Sequence, residues 1–525
     1  MSPRIALLSF LAAVLAAQER PSLIDGDPFD CFRMSGAPAA TQLIVDIEGM
    51  PFARAWRIRT EREAANPWDI RTRCFATRPA SRGDVVVATF WMRTVSAGSG
   101  YTTFVVEKGR EPYTKSVEWT VSAGSSWKRI QIPFTIAETY TGTGAEPYNL
   151  SFWVTHQLQE IEIGGLTVEN YGHGVAFGDL GLAGWPYEGH EPDAPWRAEA
   201  ARRIDEYRKS DLTVAVRDSD GRALAGVPVR VRMKRHAFGF GTAVAGQALM
   251  DMSENGRRYR ETLQQNFNKT VLENDLKWPF WETWARGSAA FALDWLPANG
   301  LPDVRGHNII WPGRANLPAD VVRLLSDPER LRTRIYDHIR EVVEYARGKV
   351  TEWDVINEPY SNKDVQAVLG EEEMAVWFRK AREIDPDAKL YVNDYNIVEA
   401  GGFDLRHQNG YYRIIRLLLD NGAALDGIGI QGHFNTNVTP PERVWEIYDR
   451  FAEFGKDLQI TEFDINTADE ALQARYTRDF LTASFAHPAI TGFMIWGFWE
   501  GRHWKPAAAM FRRDWSIKPN GEAWR

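Results

Sequence analysis

Residues 350–394 read VTEWDVINEPYSNKDVQAVLGEEEMAVWFRKAREIDPDAKLYVND, and this stretch decides the fold. VTEWDVIN and KLYVND are apolar runs of strand length, and the charged, amphipathic sequence between them has helical character. Two strands joined through a helix are the unit of a parallel sheet. The alternation extends in both directions. After His236, strands are read near FGFGTAV, KTVLEN, VRGHNIIW, VTEWDVIN, KLYVND, GIGIQGH, LQITEFD and ITGFMIWG, with helices between them, for example over 331–347, 408–420 and 471–485. Eight such strands over residues 236–525, followed by an irregular tail, predict an α/β fold closed as a (β/α)8 TIM barrel.

Upstream the texture differs. Residues 23–171 carry the segments QLIVDIEG, DVVVATFWMRTV, YTTFVVEKG, WKRIQIPFTI, YNLSFWVTH and IEIGGLTVEN, which alternate apolar and polar positions as half-buried strands do. They predict an N-terminal all-β, jelly-roll-like sandwich domain. Residues 172–235 read as a connection: a Gly- and Pro-rich stretch over 173–195, a short charged helix over 198–209, and a hairpin in which LTVAVRD and VPVRVRM flank a turn at 218–221. At the N-terminus, Arg4 precedes an apolar run over 5–17, and Val14-Leu15-Ala16 or Leu15-Ala16-Ala17 offers a cleavage site, so 1–17 reads as an export signal. The expectation is a secreted or periplasmic protein with no membrane attachment after signal cleavage.

With 525 residues there is material for two domains, and 44% hydrophobic with 25% charged residues is the balance of a soluble globular chain. A formal charge of −8 without a long Lys/Arg run argues against nucleic acid, whose phosphates need a basic surface. Cys31 and Cys74 are the only cysteines; an exported chain permits a bridge between them, and two free buried thiols fit the sequence equally. The 21 Trp residues supply flat faces for sugar rings or filling for cores.

Function is read from position. Each predicted barrel strand after the first ends in polar or aromatic groups: Glu273 and Asn274, His307 and Trp311, Asn357 and Glu358, Asn393 and Asp394, Gln431 and His433, Glu462 and Asp464, and finally Trp496. In this fold those ends converge on the face that carries the active site. Any one of them has a structural reading, as a helix cap, an ion-pair partner or a hydrogen-bonded core histidine. As a set they are hard to explain by packing. Glu358 and Glu462 end strands four and seven, on opposite sides of the ring. Hydrolysis of an acetal needs such a pair, one carboxylic acid to protonate the leaving oxygen and one carboxylate to attack or to activate water. GxSxG, HExxH and a Gly-rich phosphate loop after a strand are absent.

The segments TVLENDLKW, VRGHNIIW, WDVINEP, NDYN, GIQGHF, ITEFDI and WGFWEGRHW follow one another over residues 238–524, and this part of the chain resembles the catalytic barrel of the family 10 glycoside hydrolases, the endo-β-1,4-xylanases. The resemblance implies a retaining mechanism with Glu358 as acid/base and Glu462 as nucleophile, oriented by His433 and Asp464. It implies that Asn357 and Gln431 supply amides around the nucleophile and the neighbouring sugar hydroxyl. Glu273, Asn274, Lys277, His307 and Trp311 would bind the non-reducing side of the cut, with Trp496 and Trp504 as aromatic walls. No metal and no catalytic cofactor is expected, the partner is xylan or a related plant cell-wall polysaccharide, and the protein is expected to be a monomer.

Departures from the family pattern are WPGRANLP at 311–318, where many members read WHxQxP, Phe463 where Leu is common, and Arg502 in a loop of variable length. The sandwich resembles carbohydrate-binding modules by texture and place, with Trp56, Trp68, Trp91, Tyr101, Trp119 and Trp153 as sugar platforms of which about half are expected in the core. A structural Ca²⁺ is compatible with such a domain, but no oxygen-ligand loop identifies one. Two other readings stay open: a β-1,4-glucanase or cellulase of the same mechanism, and a barrel that binds polysaccharide without cutting it.

Overall fold

The computed structural model describes residues 21–525 apart from 37, 63, 65, 77, 97–98, 143–146, 156 and 181–186, and the expected export signal lies outside the described residues. The chain divides into two compact units, Met1–Pro186 and Tyr187–Arg525, so the boundary falls inside the Gly- and Pro-rich stretch.

Among the described residues the first unit holds ten strands: β1 (Arg33–Ser35), β2 (Ala40–Asp46), β3 (Arg54–Thr60), β4 (Arg71–Phe75), β5 (Val85–Thr94), β6 (Gly100–Lys108), β7 (Lys115–Ala123), β8 (Lys128–Thr135), β9 (Tyr148–Trp153) and β10 (Gln159–Gly172). They form two antiparallel five-stranded sheets, in the orders β1-β4-β9-β6-β7 and β2-β3-β10-β5-β8. Alternate residues such as Phe90 and Met92 of β5, Phe104 of β6, Phe152 of β9 and Ile161 of β10 turn inward to one shared core. The structure thus has the expected all-β sandwich, with four more strands than the sequence patterns marked. A disulfide joins Cys31 to Cys74, whose Cα atoms are 5.1 Å apart, and ties the single-turn helix Pro28–Cys31 to β4. Trp56 and Trp119 lie buried in the core, where about half of the six aromatics were expected, whereas Trp68 remains 48% exposed.

Part of the segment read as a connection packs on the outside of the barrel. Trp196, on the helix Pro195–Arg208, meets Trp445 edge-on at 6.2 Å, and Arg197 and Tyr187 share the buried carboxylate of Asp479. The hairpin is realised only at its turn. Asp218 N–H donates to the Arg222 carbonyl at 3.0 Å, and one bridge pairs Arg217 with Ala223, but no ladder extends along LTVAVRD and VPVRVRM. Leu212, Val214, Val227, Val229, Val231 and Met233 are exposed there. A two-stranded ribbon with no surface to cover its apolar face is marginal in water, which is why the alternation alone did not secure it.

The barrel follows the sequence reading strand for strand: Gly239–Val244, Lys269–Leu272, Asp303–Ile310, Glu352–Asn357, Lys389–Asp394, Gly427–Ile430, Asp457–Ile465 and Ile490–Ile495, all parallel. Pairing of the sixth strand with the seventh closes the ring. Helices Pro328–Ala346, Leu405–Asp420 and Glu470–Ala486 stand where periodicity placed them. Among the described residues no helix is long and apolar enough to cross a membrane, and no group of three or more His, Cys, Asp or Glu is placed to hold a metal ion.

Near the strand beginnings the barrel interior is polar. Arg305, fully buried, donates to Glu352 at 2.7 Å and to Asp354 at 3.0 Å, while Lys269 reaches the same Glu352 at 2.9 Å. Burial opposes the charge of Glu352, but Lys269 and Arg305 outweigh it and hold its carboxyl down at about 2. Gln459 spans Glu352 and the Tyr391 hydroxyl at 3.0 and 2.9 Å. Removing one cation from such a closed network leaves buried carboxylates unpaired. Arg305→Met is therefore expected to cost about 3–5 kcal/mol in urea unfolding; a loss under about 1 kcal/mol would show that the network is not stabilising as described.

Candidate active site

Strand ends four and seven bring the two carboxylates to one cleft of about 600 Å³, which is also lined by Glu273, Asn274, Lys277, His307 and Trp311. Asn357, Gln431, His433, Trp496 and Trp504 complete its wall on the other strands. Asp464 stands behind His433, so the predicted site residues are brought together.

Glu358 leaves strand four with φ +53°, in the left-handed region that a non-glycine residue adopts at a cost. Its N–H donates to the Asn393 carbonyl at 2.8 Å, and its own carbonyl accepts from the Asn362 N–H at 3.1 Å, so the turn is fixed from both sides. Its carboxyl accepts from Gln431 Nε2 at 3.0 Å and from Asn362 Nδ2 at 3.3 Å. Burial, with the negative charges of Glu462 and Asp394, pushes it up to about 7 against the hydrogen bond from Gln431.

Glu462 has the opposite environment. Asn393 Nδ2 donates to Oε1 at 2.7 Å, and His433 Nε2 meets Oε2 at 3.1 Å. Burial disfavours its charge, yet the hydrogen bond from His433 and the positive charges nearby hold its carboxyl below the ordinary value. The imidazole is itself held by Asp464 Oδ2, 3.1 Å from Nδ1, and Trp504 Nε1 donates to that same oxygen at 2.7 Å. Burial works against the His433 cation, but Asp464 and Glu462 prevail and push it up to about 10. Its place between two carboxylates favours the charged imidazole, with Nε2 directed at Glu462.

The remaining groups connect this pair to the polar layer below. His307 Nδ1 donates to Asp354 Oδ2 at 2.9 Å, and its ring meets Trp496 edge-on at 5.1 Å. Lys277 donates to Asn274 Oδ1 at 2.9 Å and lies 5.4 Å from the Trp311 ring centre. Burial lowers its ammonium although Glu462, Glu273 and Glu358 all favour the charge. Glu273 is raised, chiefly by burial.

Several functional contacts differ from the sequence reading. Gln431 contacts Glu358 rather than the nucleophile side, and Asn357 reaches Glu462 only through Asn393, whose Nδ2 also donates to Asn357 Oδ1 at 2.9 Å. Asn393 was visible as a strand-end amide without a role. Asp394 turns away, to His407 at 3.0 Å and to the backbone of Tyr360 and Tyr395. Tyr395, Asn396 and Glu399 line the cleft from a loop that carries no periodic signal. The buried carboxylate of Glu399 accepts from the N–H groups of Gly432 and His433 at 2.9 and 3.0 Å and so anchors the backbone that carries the imidazole. In the divergent WPGRANLP segment, Asn316 Nδ2 donates to Asn362 at 3.2 Å, and a side chain at Gly313 would lie 2.1 Å from the Asn362 amide oxygen. That loop thereby packs directly against a residue that holds Glu358.

Two carboxylates whose surroundings push them in opposite directions, at the mouth of a (β/α)8 barrel and between aromatic walls, define the site of a glycoside hydrolase. The chain belongs to glycosyl hydrolase family 10, whose family model matches residues 230–523. It is similar to anti-sigma-I factor RsgI6 of Acetivibrio thermocellus, 32% identical over 331 residues, which are 62% of this chain and 42% of that protein. It is also similar to endo-1,4-beta-xylanase 1 of Arabidopsis thaliana, 29% identical over 57% of this chain and 31% of the relative. Beta-1,4-xylanase of Dictyoglomus thermophilum is 34% identical over 40% of this chain and 60% of its own length. The chain thus spans between 31% and 60% of these three relatives. Native xylanase 10B from Thermotoga maritima has a crystal structure that matches with a TM-score of 0.50 at 26% identity, covering 55% of this chain and 94% of that one.

The charges around Glu358 should be visible in its titration. With carboxyl-¹³C glutamate, the Glu358 resonance should show its midpoint near 7, and Glu462→Gln should lower that midpoint because a neighbouring negative charge is removed. A midpoint at the ordinary carboxylate value, unmoved by the substitution, would contradict it.

Proposed function

We propose that this chain is an exported, monomeric, retaining endo-1,4-β-xylanase and that its N-terminal sandwich binds the polysaccharide. The observation that carries the catalytic part is the pairing of Glu358, pushed up to about 7, with Glu462, held below its ordinary value, in one cleft. In the first displacement Glu358 gives its proton to the glycosidic oxygen as Glu462 attacks the anomeric carbon and forms a glycosyl ester. Esterification removes the negative charge of Glu462, which had helped to raise Glu358. The acid then becomes a base suited to deprotonating the water that releases the sugar. His433 and Asn393 each donate to one oxygen of Glu462 and hold it for attack. Both displacements need only the two carboxylates and water.

Xylan as substrate is supported by family membership and by the relatives named as xylanases. Export is supported by Arg4 and the apolar run that follows it. Glu358→Ala and Glu462→Ala should each lower xylan turnover by about 10²–10⁴-fold or more, and azide should restore turnover of an activated xyloside in the Glu462 variant with inverted product. Wild-type turnover in either variant contradicts the assignment. The pH profile of kcat/KM has a fixed sign. It should fall as pH rises through about 7, where Glu358 loses its proton, and on the acid side only below the ordinary range, where Glu462 gains one.

A further inference from the structure

The two outer faces of the sandwich handle their polar groups differently. On the sheet β2-β3-β10-β5-β8, the fully buried Glu162 accepts from Arg57 at 2.8 Å and from Arg93 at 2.6 Å, and the charges close on one another. On the sheet β1-β4-β9-β6-β7, the core takes Tyr148, Leu150 and Phe152 of β9, so Asn149, Ser151 and Trp153 point outward at alternate positions. All three are at least nine-tenths buried, and Asn149 Oδ1, Ser151 Oγ and Trp153 Nε1 have no hydrogen-bond partner. Arg71, which pairs in register with Trp153 on the neighbouring strand, adds an unpartnered Nε. Buried polar groups in folded proteins are almost always hydrogen-bonded, and four unpartnered atoms clustered on adjacent strands of one face call for a partner.

The chemistry of the face narrows what that partner is. Its charges are mixed, with Arg71 3.6 Å and Lys115 3.5 Å from Glu107, Lys115 also 3.6 Å from Glu118, and Arg73 a further cation beside Arg71. The unmet demand is mixed, for donors at Asn149 and for acceptors at Trp153 and Arg71, with Ser151 able to take either. An anion would serve only the donors and a cation only the acceptors. Hydroxyl groups serve both. Trp68 lies edge-on to Trp153 at 6.0 Å, and its half-exposed ring offers a flat apolar surface beside these atoms. Arg71 and Lys115 lie over the face on long, partly exposed side chains that can swing aside.

We propose that the outer face of the sheet β1-β4-β9-β6-β7 is a binding site for a neutral pyranose chain, contacted by Arg71, Asn149, Ser151 and Trp153 and flanked by Trp68. The site rests on the reading above that the sandwich binds the polysaccharide, and the choice of xylan as that chain rests on the function proposed for the barrel. Titration calorimetry of the full chain carrying Glu462→Gln with xylohexaose should show two hexaose sites, one in the barrel cleft and one on this face. Adding Trp68→Ala, or separately Ser151→Ala, should weaken one site by about tenfold and leave the other. Removing an unpartnered buried hydroxyl does not threaten the fold, so the Ser151 variant reads binding rather than unfolding. A single hexaose site unaffected by either substitution overturns the proposal. Xylan hydrolysis by the unsubstituted chain is scored separately. Hydrolysis with one binding site refutes the face alone, whereas absence of hydrolysis with Trp68-dependent binding of cellohexaose upholds the face and refutes the xylanase reading.

Discussion

A histidine cation held between two carboxylates governs the chemistry of the barrel mouth. Asp464 fixes His433 from one side, Glu399 anchors its backbone, and the imidazole donates to Glu462 on the other. The charge of His433 keeps Glu462 ionised in a buried position that would otherwise favour the acid form. The ionised Glu462 in turn helps to raise Glu358. Two chemically identical side chains are thereby pushed in opposite directions by environment, Glu358 toward the acid and Glu462 toward the carboxylate.

Below the mouth, stability and site geometry share residues. Arg305 closes a buried network with Glu352 and Asp354, and Asp354 holds the His307 ring that packs on Trp496. A change near the strand beginnings would therefore reach the aromatic wall of the cleft. At the other flank, Asn362 supports Glu358 by backbone and side chain, and the divergent loop around Gly313 presses against Asn362. The departure from the usual sequence at 312–316 thus touches the support of Glu358.

Most of the barrel was legible because its strands are short apolar runs, nearly all of them ending in polar or aromatic residues and followed by helical sequence. Glu358 and Glu462 were legible as members of a set, since polar groups at the ends of seven apolar strands are hard to explain by packing although each alone has a structural use. The sandwich was less so. Strand β3, RAWRIRT, puts Arg57 and Arg59 outward and reads as a charged surface segment, although Trp56 and Ile58 lie in the core. Burial of Trp56 and Trp119 follows from which face of a strand turns inward, a matter of register that aromatic content does not reveal. Asn362 and Glu399 act from loops, where no period marks a position, and their roles come only from the contacts that folding creates. The failed hairpin is the converse case, a clear alternation with nothing to pack against.

The account stands on Glu462 being the attacking group, and covalent trapping tests that most directly. A 2-deoxy-2-fluoro xylobioside with a good leaving group should inactivate the enzyme and leave one glycosyl ester, located by peptide mass spectrometry in the segment that contains Glu462. An ester on Glu358, or turnover of the reagent to inverted product with no ester on either glutamate, would contradict the mechanism.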